Sequence, residues 1–312
     1  MTLLTTAQAD VLPAPVAGPP PALAPLPFHR LARADHRLRW WRPLLALPVF
    51  ASCYAVLGLG LLVALMVHDH VAGTSWSDRA VAPSMADPVT FGFGFAFIAL
   101  MAPALLLALR LVGPRPVGLV LSVTGRLRWR WLGSALWRAA LVHALAFVLL
   151  LVVLGPLTGE AAVLAPRPGL VALLVLAVLV VPFQAAAEEL VFRGWALQAV
   201  GTWLRHPLFA VLLPVPFFVV GHPYDLWGQL EVGAYAVVAG WLAWRTGGLE
   251  APIALHVVNN VGISALAALG CADLDATQGS PLSLVVSTLT SLVAAAWLLR
   301  AFRTAGLSRT RG

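Results

Sequence analysis

Three ionisable side chains directly follow a long uncharged run in the middle of the chain. The run from Leu170 to Ala187 has no charged residue and is about as long as the segment that crosses the hydrocarbon core of a bilayer. Glu188 and Glu189 come next, and Arg193 follows. A charge inside a bilayer costs roughly 2.5 to 3.5 kcal/mol on insertion scales, so acids at this depth indicate a functional site. If the helix instead ends here, both glutamates are solvated beside the headgroups.

Helical geometry gives the two glutamates different surroundings. Glu189 and Arg193 are four residues apart, so they share one helix face and can form an ion pair. Glu188 lies about 100° around the helix from Glu189, where Arg193 is poorly placed to neutralise it. The pattern therefore predicts a paired carboxylate on Glu189 and a carboxylate free for chemistry on Glu188.

Two later apolar segments are also interrupted by polar side chains at helical spacing. Phe218 precedes His222 by four residues, and His256 precedes Asn260 by four. A lone histidine in a membrane helix is more often an interhelical hydrogen-bonding residue than a catalyst. Together with Glu188, however, these positions provide a base, two imidazoles and an amide, enough to activate water and to stabilise an oxyanion.

The composition of the whole chain is that of a membrane protein. Of 312 residues, 60% are hydrophobic and 11% are charged, whereas soluble domains carry about 25% charge. The net charge of +7 could indicate nucleic-acid binding, but the arginines are spread between apolar segments rather than gathered on one domain. We therefore expect an all-α, polytopic transmembrane helical bundle that binds no nucleic acid.

Hydropathy divides the chain into about eight spans. Span four is expected to continue as a helix through the glutamates, and spans five and six are short. The predicted spans cover residues 43–67, 89–109, 139–157, 170–200, 208–221, 232–244, 252–269 and 282–299.

Arginine is concentrated in alternate connections between these spans. The N-terminal segment, the connections after spans two, four and six, and the C-terminal segment hold nearly all of it. The positive-inside rule therefore predicts that both termini are cytoplasmic. All 20 of the Lys and Arg residues are arginine, which is typical of a GC-rich genome, so we expect a multi-pass protein of a bacterial cell membrane.

One arginine-rich connection has its own pattern. Charged and apolar residues alternate from Arg126 to Trp131, and a period of two is typical of an extended segment. We expect this stretch to lie extended on the lipid headgroups.

The three polar motifs together resemble a known family. Glu188-Glu189-x-x-x-Arg193, Phe218-x-x-x-His222 and His256-x-x-x-Asn260 occur in this order on successive apolar segments. This arrangement resembles the CPBP family of intramembrane endopeptidases, which includes the eukaryotic CAAX prenyl protease and bacterial "Abi" relatives associated with bacteriocin processing and immunity. The resemblance covers about residues 170–260.

The resemblance implies a role for each motif residue. Glu188 would be the base that activates water, with His222 beside it, and His256 with Asn260 would stabilise the oxyanion. Glu189, Arg193 and Phe218 would support these groups. The substrate would be a membrane-associated protein or peptide.

The resemblance also bears on metal dependence. Glu188, His222 and His256 could form a zinc site of the His₂Glu type with an open fourth position. The family's structural picture favours a glutamate mechanism without metal. No cofactor is therefore favoured, and zinc remains the alternative.

With the resemblance, the chain divides into four parts. Residues 1–42 are expected to be a disordered, Ala/Pro-rich and basic cytoplasmic tail, and residues 43–165 the N-terminal transmembrane spans. Residues 166–270 would form the catalytic core around an intramembrane cavity. Residues 271–312 would hold the last span and a basic cytoplasmic tail.

One observation opposes the protease interpretation. Hydropathy places Glu188 at the cytoplasmic end of span four and His222 at the outer end of span five. The two can meet only if the helix of Glu188 continues within the membrane, or if span five ends part-way and lines a wet cavity. Otherwise the buried Glu and His residues would fit an ion- or proton-coupled transporter that uses them as a relay.

Overall fold

The computed structural model describes residues 25–82, 84–159 and 162–311. Within these ranges the chain forms nine helices, two short 3₁₀ segments and two very short strands. The helices are α1 (Arg42–Ala72), α2 (Trp76–Ala80), α3 (Pro88–Val112), α4 (Trp129–Thr158), α5 (Leu170–Trp203), α6 (Pro207–Val220), α7 (Leu226–Thr246), α8 (Glu250–Ala268) and α9 (Pro281–Thr304). The 3₁₀ segments are Phe28–Ala34 and Val117–Val120, and the strands are β1 (Leu26–Pro27) and β2 (Thr310–Arg311).

The polytopic helical bundle predicted from the sequence is confirmed. In the described ranges, 6 helices are long and apolar enough to cross a membrane, namely α1, α3, α4, α5, α8 and α9. Predicted spans five and six correspond to α6 and α7, which are not among those six. At a rise of 1.5 Å per residue, α6 is roughly 20 Å long and shorter than a hydrocarbon core of about 30 Å. The total of about eight spans therefore stays a prediction.

The bundle exposes apolar side chains and buries polar ones. Large apolar residues are exposed along α1, α4 and α5, as expected for helices that face lipid. Gln184, Glu188, Glu189, Arg193 and His256 are all buried in the interior. The helix α8 packs against α4, α5 and α7, and it thereby closes this polar interior.

Helix α5 continues past the two glutamates, as predicted, but it is not uniform. It is interrupted at Val180, two residues before Pro182, whose ring and missing N–H disrupt the helical hydrogen bonds. Directly after the glutamates the helix widens into a π-helical stretch, Leu190–Ala196. Such turns often occur at functional sites, because they change the direction in which neighbouring side chains point.

A close approach at Gly194 holds this π-helical stretch in place. A Cβ added there would lie 2.9 Å from the carbonyl oxygen of Val120. Only glycine therefore lets the Val117–Val120 segment pack directly on α5.

Both ends of the described chain meet at one end of the bundle. β1 pairs antiparallel with β2, with Leu26 opposite Arg311. Leu26 and Arg311 therefore lie on the same side of the bundle, and which side faces the cytoplasm stays a prediction.

Part of the predicted disordered tail is instead packed into the bundle. Residues 1–24 of that tail lie outside the described residues. Phe28 and Leu31 in the first 3₁₀ segment are fully buried, and they belong to the main hydrophobic core. Burial of these two apolar side chains is the physical reason that the prediction is wrong for this segment.

The prediction of an extended segment from Arg126 to Trp131 is also wrong. Helix α4 begins at Trp129, and Trp131 is buried in the core. Arg128, just before the helix, forms a bidentate ion pair with fully buried Glu250 at the start of α8, with Nε 2.9 Å from Oε1 and Nη2 2.7 Å from Oε2. This ion pair and the burial of Trp131 fix the segment, and a six-residue alternation could not reveal either of them.

Candidate functional site

The two glutamates of α5 both point into the bundle, but they have different partners. Glu189 is fully buried, and its Oε1 accepts a hydrogen bond of 3.1 Å from Nη1 of Arg193. This confirms the predicted pair on one helix face. The guanidinium of Arg193 also lies 4.1 Å from the centre of the Phe218 ring, which covers it from α6.

Glu189 has further partners that the sequence did not reveal. Its Oε1 accepts a hydrogen bond of 3.1 Å from the hydroxyl of Tyr235 on α7, and it lies 2.8 Å from Nδ1 of His256 on α8. Glu189 is therefore not confined to the predicted ion pair with Arg193. Its carboxylate instead joins α5, α7 and α8, because three donors converge on one buried oxygen.

Among the described residues, both glutamates keep a buried Oε2 without a hydrogen-bond partner, but only Glu189 is paired with an arginine. Glu188 is therefore the carboxylate that is available for chemistry. Its Oε2 lies 3.5 Å from Nε2 of His256, which is the upper limit for a hydrogen bond. Among the described residues this buried oxygen has no hydrogen-bond partner.

The Phe218 motif reaches the same region from α6. The Phe218 ring centre lies 5.0 Å from that of Phe192 and 6.3 Å from that of His256. His222 follows one turn later, and its ring lies 4.7 Å from that of Phe218. The short helix α6 and the continuing helix α5 therefore bring all three motifs together, and the separation inferred from hydropathy is removed.

His222 itself is held by the backbone of its own helix. Its Nδ1 lies 2.8 Å from the carbonyl oxygen of Phe218. Within the described residues, the ion-pair partner of Glu188 is His256 rather than His222. The implied place of His222 beside Glu188, where both could contact one water, stays a prediction.

Asn260 lies one turn beyond His256 on α8. Its Nδ2 donates a hydrogen bond of 3.1 Å to Oε1 of Gln184, a buried residue of α5. Its Oδ1 accepts one of 3.1 Å from Nδ2 of Asn259. The amide therefore has a defined orientation, with its amino group towards α5.

The candidate zinc ligands do not form a ligand set. In the described part of the chain, no three His, Cys, Asp or Glu side chains are grouped so that they could hold a metal ion. As placed, Glu188, His222 and His256 are therefore not grouped as the tetrahedral zinc site requires, and no step below is derived through a metal.

Gln184 and Tyr235 were not predicted as site residues, although the sequence contains a weak signal for each. Gln184 is the polar residue in an otherwise apolar run, and it lies one turn before Glu188. Tyr235 lies in an apolar segment, where its hydroxyl needs a partner. Neither signal identifies the partner, because both partners come from other helices.

The site brings an acid, two imidazoles and an amide to one region of a membrane bundle, and these are the groups that an intramembrane hydrolase needs. Comparison with known proteins agrees with this class. Residues 167–262 match the family model described as Rce1-like, type II CAAX prenyl endopeptidase. This segment contains all three motifs, and the resemblance found in the sequence is thereby confirmed for it. The matching family is one of proteases.

One curated relative also covers most of the chain. It is the uncharacterized protein YyaK of Bacillus subtilis (strain 168), which is 28% identical over 234 residues, 71% of this chain and 76% of the relative. No solved structure matches the chain.

Proposed function

We propose that this protein is an intramembrane endopeptidase that hydrolyses a peptide bond of a membrane-associated protein or peptide. The proposal rests above all on Glu188, whose buried Oε2 lacks a hydrogen-bond partner among the described residues and lies 3.5 Å from Nε2 of His256. A buried carboxylate with a free oxygen beside an imidazole can bind and deprotonate water.

The reaction begins with water between Glu188 and His222. Glu188 takes a proton from the water as its oxygen attacks the scissile carbonyl carbon. The carbonyl oxygen becomes an oxyanion, which His256 and Asn260 stabilise by donating hydrogen bonds. The tetrahedral intermediate then collapses, the C–N bond breaks, and Glu188 returns the proton to the leaving amine. No metal or other cofactor takes part in these steps, and zinc dependence is tested by activity in a chelator.

The supporting residues fix the catalytic groups in place. Glu189 holds the imidazole of His256 through Nδ1, at 2.8 Å. Arg193 neutralises Glu189, and Phe218 covers the guanidinium at 4.1 Å from its ring centre. This neutralisation matters because an unpaired buried carboxylate is strongly destabilising.

We propose that the protein works in a bacterial cell membrane with both termini in the cytoplasm. Its partners are then the lipid bilayer and the membrane-associated substrate, and it binds no nucleic acid. The arginine-rich connections support this orientation.

The competing function is an ion- or proton-coupled transporter that uses the same buried groups as a relay. The protease family match of residues 167–262 favours hydrolysis. A carrier would lose transport on Glu188→Gln without any change in peptide termini.

Comparison of peptide termini tests the proposal. Membranes from cells that carry the wild type, Glu188→Gln or the control Asp78→Asn would be compared by proteomics. Asp78 is exposed on α2, which packs on α1 and α3, and its replacement also removes one carboxylate. We expect at least one peptide terminus to disappear in Glu188→Gln and to persist in Asp78→Asn. Identical termini in all three samples would remove the protease interpretation.

A further inference from the structure

A second polar contact joins α5 and α8 one turn away from the acid–imidazole contact. Gln184 and Glu188 are four residues apart on α5, and His256 and Asn260 are four apart on α8. Residues four apart share a helix face. Glu188 faces His256 at 3.5 Å, and Gln184 accepts a hydrogen bond of 3.1 Å from Asn260.

The Gln184 contact is buried and specific in direction. The Gln184 side chain is 3% exposed, so losing its partner would leave a polar group without compensation from water. Its carbonyl oxygen draws the amino group of Asn260 towards α5, while Asn259 donates to the amide oxygen of Asn260 at 3.1 Å. An amide held by both ends cannot rotate freely.

This orientation has a consequence for the proposed oxyanion site. An amide nitrogen carries two hydrogens. One hydrogen of Asn260 Nδ2 is used by Gln184, and the other can be donated to the oxyanion. Rotation of the amide by 180° would present an oxygen acceptor there, which would repel the developing negative charge.

We propose that Gln184 is a positioning residue that orients the Asn260 amide as an oxyanion donor. This inference rests on the proposed endopeptidase function and assigns a role to a residue outside the three motifs. Gln184 does not touch the substrate, and it acts through Asn260.

The first test is a kinetic double-mutant cycle. The purified protein in liposomes would be assayed on the peptide that the wild type cleaves fastest in a quenched-fluorescent library of membrane-anchored peptides. Gln184→Leu should lower kcat about 10- to 100-fold and leave KM nearly unchanged, a smaller loss than the roughly 10²- to 10³-fold expected for removing an oxyanion donor. In an Asn260→Ala background, Gln184→Leu should change kcat less than about 2-fold.

Matched variants separate positioning from general damage to α5. Gln198 is a buried glutamine of the same helix, and its Nε2 donates to the Leu119 carbonyl at 2.8 Å, outside the site. Gln198→Leu should leave kcat unchanged. Gln184→Asn shortens the side chain by one methylene and keeps its amide. Its kcat should therefore lie between those of wild type and Gln184→Leu. This variant tests the proposal even if the leucine variant folds poorly.

A stability cycle tests the contact without any substrate. Gln184→Leu, Asn260→Ala and the double variant would be melted in detergent. Each single change leaves the other amide buried without its partner, so the double variant should melt about 2 °C or more above the additive value.

The outcomes distinguish this inference from the proposed function. Additive melting shifts, a wild-type kcat for folded Gln184→Leu, or additive kcat losses would overturn the role of Gln184. If the melting coupling between Gln184 and Asn260 is present but the wild type cleaves no peptide, the proposed function fails and the contact stands.

Discussion

Nδ1 of His256 lies 2.8 Å from Oε1 of Glu189, the glutamate that also pairs with Arg193. An ionised carboxylate can only accept hydrogen bonds, so this contact places a proton on Nδ1. Nε2 then faces Glu188 at 3.5 Å. Nε2 can donate to an oxyanion only when both ring nitrogens carry a proton. The contact with Glu189 therefore controls whether His256 can act as an oxyanion donor.

The first prediction concerns this control of the imidazole. In Glu189→Gln, the imidazole loses the carboxylate that stabilises the doubly protonated ring, the form in which Nε2 can donate to the oxyanion. We expect cleavage to fall on the order of 10² to 10⁴, as for a similar change in a carboxylate–histidine pair. Rates would be measured on the folded fraction after size-exclusion chromatography. Near-normal cleavage would show that His256 does not depend on Glu189.

Asn260→Ala should leave measurable activity. It removes one of two oxyanion donors, and such a loss costs about 10² to 10³ in rate. His256→Ala should lower the rate further, because it removes a donor and also the neighbour of Glu188. Single-turnover rates of both variants on one peptide give the comparison, and a larger loss for Asn260→Ala would reverse the ranking.

Arg193→Ala should act on stability before it acts on chemistry. The fully buried Glu189 would lose its charged partner, and breaking a buried pair costs about 3 to 5 kcal/mol. Tyr235 and His256 still contact the same oxygen, so the loss should lie at the lower end. Unfolding in detergent would measure it, with exposed Arg303→Ala on α9 as the control. An equal stability for both variants would contradict the role of the pair.

Asp225 should anchor the connection that carries His222. Its Oδ1 accepts hydrogen bonds from the backbone N–H groups of Gly228 at 3.0 Å and Gly279 at 2.9 Å. These bonds hold the pKa of Asp225 below its ordinary value. A lowered folded-state pKa gives stability that is complete above the unfolded pKa of about 3.9 and is lost as pH falls through the folded value.

The pH dependence of unfolding tests this anchor. Between pH 7 and acid conditions, Asp225→Ala should lose less stability than the wild type, because the variant lacks this titrating group. Ser308→Ala, in the C-terminal segment, is the comparison variant and should follow the wild type. An unchanged acid slope in Asp225→Ala would contradict the anchor.

The sequence was sufficient for the membrane-length helices and for one ion pair of the site, but not for the contacts between helices. Apolar runs predicted α1, α3, α4, α5, α8 and α9 because length and hydropathy are local properties. The Glu189–Arg193 pair was also predictable, since both residues lie on one helix.

Contacts between helices could not be read from local spacing. Tyr235 and Gln184 reach the site through partners on other helices, and the packing of α7 and α8 on α5 decides those contacts. The failure at Arg128 has the same cause, because its partner Glu250 is 122 residues away. The π-helical stretch after Glu189 likewise depends on close packing at Gly194.

Peptide hydrolysis by purified protein tests the central claim most directly. Wild type, Glu188→Gln and the control Asp78→Asn would be reconstituted in liposomes, and cleavage of one membrane-anchored peptide would be followed by mass spectrometry with and without a zinc chelator. Loss of the general base should lower the rate of Glu188→Gln by at least about 10², while Asp78→Asn and chelator-treated wild type should cleave normally. Cleavage by Glu188→Gln at the wild-type rate would contradict the proposal that Glu188 activates the water.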